Sequence, residues 1–579
     1  MNEPFRGVQG GLPPGRGLGL GPRKHSPTVF SGIAASGGTA VGRAYRTDRM
    51  RTVLTSRRTG SAATQINGAF DAVAARLREL AYSLRGEGQR EQADIMDVAC
   101  TIAEDPDLRG TAIRYAGDGD PVTVALGRAV DGYASMLAEL PDPELAERAT
   151  DVRQIGRRAL AWLNGESANG ADGPLVLIAH EIGAADLLEP QAPVVAAVSV
   201  TGGPNSHAAI VARSLGIPLL LGLDTSALSC PDGTEIVVDA GQARITLYPE
   251  PAERRAALVA MDTARARRAA LAAERDLPCR TIDGHTMVVR ANIATPADAR
   301  NALLTGADGI GLLRTELPFL DAAAWPTFDE HLATLKPIFR ELPGQPVTAR
   351  TLDYADDKLP PFLAGPDGRI GRGLPLMLAR PEAFADQFRA LLAAGTGSDL
   401  RIMIPMVSTV DELLACRRLL SVEAGRLGVE PPPLGAMIEL PEAVAAIEDI
   451  AAECAFLSIG SNDLTCQILR MDRRDPLATP AMAAHPHVLQ AIGDVVAAAH
   501  RRGILVSVCG DAAAHPDVVP LLIGVGVDIL SVAPAALDEV RARIRRLDRG
   551  LCTTLAVDAL KCTTAAQVHQ VVQRRFPYA

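Results

Sequence analysis

The stretch Thr201-Gly202-Gly203-Pro204-Asn205-Ser206-His207 runs straight into Ala208-Ala209-Ile210-Val211-Ala212-Arg213. A glycine pair lets the backbone turn through conformations closed to other residues, and Ile210, Val211 and Leu215 then fall at helical spacing. His207 is therefore expected in the first turn of a helix. The exposed amides and the positive dipole end found there would hold and partly neutralise a phosphate on the imidazole. Ser206 could cap those amides or hydrogen-bond the phosphate.

A second set of reactive residues follows a series of short apolar runs, at Met287–Arg290, Gly309–Leu313, Val347–Ala349, Ile402–Ile404, Leu434–Ile438, Phe456–Ile459, Ile504–Val508 and Ile529–Val532. Just past successive runs stand Asn292, then Arg314 with Thr315 and Glu316, then Arg350 with Asp353 and Lys358. Pro405 and Met406, Glu439, Gly460-Ser461-Asn462-Asp463 with Arg473, and Cys509-Gly510-Asp511 complete the series. Any one of these could be a helix cap or a solvated loop charge, but their recurrence at one register argues for a shared site. Arg314, Arg350 and Arg473 offer guanidinium forks suited to phosphate or carboxylate. Glu439 and Asp463 are hard oxygen ligands that could hold Mg²⁺, and Asn462 with the amides near Gly460 could steady the same phosphate. Cys509 ends a strand-like run, where a thiol could act as nucleophile, proton donor or inert core residue. A small, strongly anionic substrate bound with magnesium is the best common explanation.

Such residues must be positioned by a scaffold. Eight strand-like runs alternating with helix-length segments over about 300 residues describe a (β/α)₈ barrel, in which residues past each strand converge on one mouth; a doubly wound sheet is the alternative. The fold class expected is thus multidomain α/β, with a C-terminal barrel over 277–579. Runs at Leu175–Ile178, Val194–Val198, Leu219–Leu221 and Ile236–Asp239 surround the helix of His207 and, with Phe30–Gly42, predict a compact α/β domain carrying His207 over 29–60 and 170–250. Between its halves, residues 61–169 have long helical periodicity, as at Ile66, Phe70, Val73, Leu77 and Leu80, and predict an inserted bundle of about four helices. An exposed connecting helix is expected over 251–276. Residues 1–28, rich in Gly, Pro and Arg, read as a disordered tail.

Composition narrows the function. A net charge of −10 and 3% aromatic residues argue against general nucleic-acid binding. The nine cysteines lack Cys-x-x-Cys pairing, no apolar run reaches membrane-spanning length, and the N-terminus lacks a signal-peptide apolar core, so a reduced, cytoplasmic protein without membrane insertion is expected.

The segment Gly202-Gly-Pro-Asn-Ser-His207-Ala-Ala-Ile-Val-Ala-Arg-Ser-Leu-Gly-Ile-Pro resembles the phosphohistidine motif shared by phosphoenolpyruvate-utilising enzymes. Gly309-Ile-Gly-Leu-Leu-Arg314-Thr-Glu316, Arg350-Thr-Leu-Asp353, Ile438-Glu439, Ser458-Ile-Gly-Ser-Asn462-Asp463-Leu-Thr, Met471-Asp-Arg473 and Cys509-Gly-Asp resemble that family's barrel motifs, in the same order. From about Ser31 to the C-terminus the arrangement is similar to the Enzyme I family of the bacterial sugar phosphotransferase system. Glu104–Leu108 and Glu147–Gly156 resemble that family's helical domain. The resemblance implies phosphoenolpyruvate in the barrel mouth against Arg314, Arg350 and Arg473, with Mg²⁺ on Glu439 and Asp463. It implies phosphoryl transfer to His207, protonation of the departing enolate by Cys509, and onward transfer to the carrier HPr docked on the helical insert. It further implies a homodimer through the barrel and a role in the first step of sugar uptake.

Departures from the family pattern are also legible. Tyr354-Ala355-Asp356 stands where Ile-Gly-Gly is usual, Pro375 where a second arginine is common, Gln467 in a usually aromatic neighbourhood, Leu440 in place of threonine, and Gly37 where proline is frequent. Alternatives are a synthase or dikinase of the same superfamily, which would need a large nucleotide-binding domain, and a catalytically weakened scaffold.

Overall fold

A computed structural model of the chain describes residues 26–48, 60–86, 90–138, 143–165, 173–188, 192–202, 206–320, 322–354, 360–363, 373–472, 475 and 477–576. They form two compact units, the first drawn mainly from residues up to Thr263 and the second from Ala264 onward.

The first unit is built on strands β1 (Thr28–Ser31), β2 (Ile33–Ser36), β3 (Thr39–Arg46), β4 (Leu175–Ala179), β5 (Val194–Ser199), β6 (Leu219–Leu221), β7 (Glu235–Asp239) and β8 (Arg244–Leu247). They form one sheet in the order β1-β8-β7-β3-β4-β5-β6-β2. The centre, β3 to β6, is parallel, and antiparallel partners close both sides. Parallel strands need cover on both faces. Val176, Ile178, Val198 and Ile245 fill one side, while Leu175, Leu177 and Ala197 on the other pack with Ala208, Ala209, Val211 and Ala212 of the helix that His207 opens. Strand β1 starts at Thr28, paired with Leu247, and residues 1–25 of the expected tail lie outside the described residues. Strand β8 lies outside the expected set. It follows a tight turn at Ala240–Gln242, and its polar Arg244 and Thr246 interrupt the apolar run by which the other strands were read.

Five helices, not about four, occupy the insert among the described residues: Ala62–Gly86, Arg90–Ala103, Pro106–Gly117, Val122–Ala138 and Pro143–Leu163. The extra break falls at Asp118-Gly119-Asp120-Pro121, where Gly119 has a φ of 112°. Asp105 caps the third helix by accepting from the amides of Asp107 (2.8 Å) and Leu108 (3.0 Å). The fifth helix is tied to the segment after β4 by Arg158 on Asp186 (2.8 Å) and by Thr150 donating to Glu181 (2.5 Å). The helix Pro251–Ala273 rests Ala257, Leu258 and Met261 on Val41 and Val237, and most of its other side chains are exposed.

The second unit is a closed barrel of parallel strands, which settles the choice against an open sheet. The strands are β9 (Val288–Ile293), β10 (Ile310–Arg314), β11 (Pro346–Arg350), β12 (Asp399–Ile404), β13 (Leu434–Ile438), β14 (Leu457–Ile459), β15 (Val506–Val508) and β16 (Ile529–Val532). Their outward residues form a continuous apolar layer with the surrounding helices. Inside the barrel lies a smaller cluster of Leu312, Met403, Met437, Phe456 and Cys509.

Candidate active site at the barrel mouth

Register places the reactive residues. Arg314 pairs with Arg350, and Arg350 with Met403, so the ends of β10, β11 and β12 lie side by side. Ile438 pairs with Ile459 and Ile459 with Val508, so Glu439, Gly460 and Cys509 each follow a strand at the same level. Six strands thus deliver their next residues to one end of the barrel, where barrel enzymes carry their chemistry.

Arg350 is 4% exposed, and its guanidinium forms ion pairs with Glu316 and, at 2.9 Å, with Asp353. Burial works against its charge, but Glu316, Asp353 and Glu439 more than offset this and raise its pKa above the ordinary arginine value. The fork expected to meet substrate is therefore held by two carboxylates, which fix its plane. Arg314 is half-buried, close enough for its charge to act on Cys509.

Glu439 is 1% exposed. One oxygen accepts from the Met406 amide at 2.7 Å, and Met406 adopts a φ of 54° to aim that amide. A left-handed backbone at a non-glycine residue is costly and is characteristically kept at working sites. The other oxygen lies against Gly460, where an added Cβ would sit 2.7 Å from it. Burial, then Asp353 and Asp463, push the Glu439 carboxyl well above the ordinary range, with Arg350 and the Met406 amide pulling the other way.

Cys509 is 3% exposed. Its sulfur accepts from the Ser458 hydroxyl at 3.3 Å, and its thiol donates to the Ile459 carbonyl at 3.6 Å. Burial pushes the thiol pKa up and Glu439 adds to it, while Ser458, Arg350 and Arg314 oppose. The group is a protonated thiol at neutral pH, with the character of a proton donor rather than of a ready thiolate. Asn292 supports it by donating to the Cys509 carbonyl (3.1 Å) and the Ser531 carbonyl (3.0 Å). Asn462 is bonded twice to Asp511, donating to its carboxylate at 2.9 Å and accepting from its amide at 3.0 Å. Asp463 lies in the same first helical turn.

In the first unit, His207 opens the helix His207–Leu215. Ser206 caps it by accepting from the Ala209 amide at 3.4 Å, Gly202 has a φ of 122°, and Gly216 closes it in the left-handed region. Gly203, Pro204, Asn205, Ala355, Asp356, Lys358, Arg372 and Arg473 lie outside the described residues. Tyr354 is fully buried beside Trp325, with ring centroids 5.9 Å apart.

Family models match along almost the whole chain: the PEP-utilising enzyme N-terminal domain at residues 31–148, its mobile domain at 171–243 and its PEP-binding domain at 268–549. A phosphoenolpyruvate-protein phosphotransferase of Geobacillus stearothermophilus is 31% identical over 95% of this chain and 99% of its own length. The chain belongs to the PEP-utilising enzyme family. Multiphosphoryl transfer proteins of Xanthomonas campestris and Rhodobacter capsulatus are 34% and 37% identical, and the chain spans 68% and 57% of their lengths. The match to the family's PEP-binding domain contains Arg314, Arg350, Glu439, Asp463 and Cys509, and the match to its mobile domain contains His207.

No group of three or more His, Cys, Asp or Glu side chains suited to caging a metal occurs among the described residues. Magnesium, however, is commonly held by one or two carboxylates together with substrate oxygens and water. The crowding of Glu439 with Asp463 and Asp353, which resists a full set of negative charges, is what a divalent cation would relieve. The donor set fits the ion. No helix among the described residues is long and apolar enough to cross a membrane.

Two buried polar residues of this PEP-utilising enzyme were missing from the sequence reading as site residues. Ser458 was legible only as part of a motif, because its hydroxyl matters through a cysteine 51 residues away. Gln387 left a signal: it lies on the apolar face shared by Phe384, Phe388 and Leu391, where a polar side chain needs buried partners.

Proposed function

We propose that this chain is a phosphoenolpyruvate–protein phosphotransferase, moving the phosphoryl group of phosphoenolpyruvate to His207 and then to a histidine of the carrier HPr, with release of pyruvate. The observation that carries this reading is the buried, protonated thiol of Cys509 within electrostatic reach of Arg350, Arg314 and Glu439. An anion clamp beside a proton donor suits an enol phosphate, whose phosphorus needs positive charge and whose carbon needs a proton.

Arg314, Arg350 and Arg473 bind the substrate's phosphate and carboxylate, with Asn462 and Asp463 positioning it. The Glu316 and Asp353 pairs keep the Arg350 fork oriented before substrate arrives. Glu439 and Asp463 would hold Mg²⁺, which when bound offsets negative charge on the phosphoryl oxygens. His207 attacks phosphorus as a neutral imidazole, the P–O bond to the enol breaks, and Cys509 delivers its proton to the enolate carbon. The apolar lining of Leu312, Met403, Met437 and Phe456 around Cys509 keeps water from that proton.

Because one histidine serves two partners, the domain carrying it swivels about residues 250–275, and HPr docks on the helical insert over 61–169. The domain limits of the sequence reading, a homodimer through the barrel, a cytoplasmic location and the first step of sugar uptake complete the proposal.

Incubation with labelled phosphoenolpyruvate and Mg²⁺ tests this. An acid-labile, base-stable label is expected on His207, passing to added HPr; H207A remains unlabelled, and C509A releases pyruvate at least 100-fold more slowly. A wild-type chain that takes no label overturns the reading.

A further inference from the structure

The helix Pro381–Ala394 presents one polar side chain to the barrel that the chemistry above does not use. Gln387 is 0% exposed, and its carboxamide is bonded at both ends. Its oxygen accepts from the Leu352 amide at 3.0 Å, and its nitrogen donates to the Thr315 hydroxyl at 3.0 Å. Thr315 in turn donates to the Arg350 carbonyl at 2.7 Å.

The polarity of this chain is fixed. An amide N–H can only donate, so the carboxamide oxygen faces Leu352 and its NH₂ faces Thr315. Thr315 must then send its own proton to Arg350. One side chain therefore stitches together the segments after β10 and β11, which carry Arg314 and Glu316 on one side and Arg350 and Asp353 on the other. Each member is buried, and an unmade bond there has no water to replace it.

We propose that Gln387, acting through Thr315, is a positioning residue for the phosphoenolpyruvate half-reaction: it sets the spacing between the Arg314 and Arg350 strand ends. Gln387 touches no substrate. It is specific to the barrel step, because transfer between His207 and HPr uses neither strand end. The inference rests on the phosphotransferase reading.

Two half-reactions are measured on the full chain. Phosphorylation of His207 by phosphoenolpyruvate should fall 10- to 100-fold in Q387M and T315V, mainly in kcat, since misplacement of bound groups by up to about 1 Å costs rates of that order. Phosphorylation of His207 by phospho-HPr should change less than twofold in the same proteins. T315S, which keeps the hydroxyl, should recover most of the first rate. Q387E should be impaired at high pH, where its carboxylate claims the Thr315 proton, and should improve as acid lets it donate as the amide does. Equal loss in both half-reactions, wild-type rates in Q387M and T315V, or failure of T315S to recover would each overturn the proposal. If Q387M does not fold, T315V against T315S decides. A wild-type chain inert to phosphoenolpyruvate but phosphorylated by phospho-HPr would sink the phosphoenolpyruvate reading instead, and so is a different result.

Discussion

At the start of the helix His207–Leu215 the groups that shape the site, from Gly202 through the Ser206 cap to the histidine, lie within six residues of one another. The barrel mouth is made differently, from Arg314, Arg350, Glu439 and Cys509 at the ends of four strands, none of which has a local reason to meet the others. A locally encoded site depends on backbone turns and a cap, each contributing about 1 kcal/mol. The mouth depends on mutual burial of charges, where one misplaced atom disturbs every partner. Damage to the first should be graded, and damage to the second collective.

Gly460 gives the largest expected effect. An alanine there would place its Cβ 2.7 Å from the Glu439 carboxylate, which is also pinned by Met406. G460A is expected to slow labelling of His207 by phosphoenolpyruvate about 100-fold or more while leaving exchange with phospho-HPr intact. Labelling within threefold of wild type would show that the mouth tolerates displacement, and the contrast between the two sites would fail.

His331 gives a second, smaller contrast. It is fully buried against Phe319, at 4.8 Å between centroids, with neither ring nitrogen hydrogen-bonded. Burial lowers its pKa from 6.5 to about 4, so the unfolded chain takes up the proton first. Stability from the neutral imidazole is thus complete above pH 6.5 and is lost as pH falls from 6.5 toward 4, by on the order of 3 kcal/mol. The two tryptophans, Trp162 in the first unit and Trp325 in the second, allow each unit to be followed by fluorescence in single-tryptophan variants. The Trp325 signal should report acid destabilisation that H331L flattens, and an unchanged acid slope in H331L would assign the effect elsewhere.

The smallest effect is expected at Ser206. S206A removes one cap bond at 3.4 Å, which costs about 1 kcal/mol and lowers melting of the first unit, read from Trp162, by roughly 2–4 °C. A loss as large as that of G460A in labelling would mean that the serine hydroxyl also touches the phosphoryl group.

Much was legible in the sequence for identifiable reasons. The eight barrel strands are short apolar runs separated by helix-length segments, and that rhythm survives without any knowledge of contacts. The candidate residues that the structure gathers at the mouth were legible because a barrel sends whatever follows a strand to one end. Strand β8 was missed because Arg244-Ile-Thr-Leu247 offers no continuous apolar run, and the break at Gly119 because it spans only a few residues between two helical stretches. That Asn462 spends both ends of its amide on Asp511, that Arg350 meets two carboxylates and that Cys509 leans on Ser458 involve partners whose separation along the chain carries no pattern.

By itself the sequence determined the rhythm of the eight barrel strands, that His207 opens a helix, and which residues stand at the barrel strand ends. Those follow from local backbone preference and from hydrophobic spacing, which act over a few residues. Only the tertiary structure decided that the barrel closes, that Cys509 holds its proton, that Glu439 resists its charge, and that Gln387 bridges two strand ends. Those properties come from burial and from charges brought within a few ångströms, and burial is a property of the packed molecule rather than of any segment.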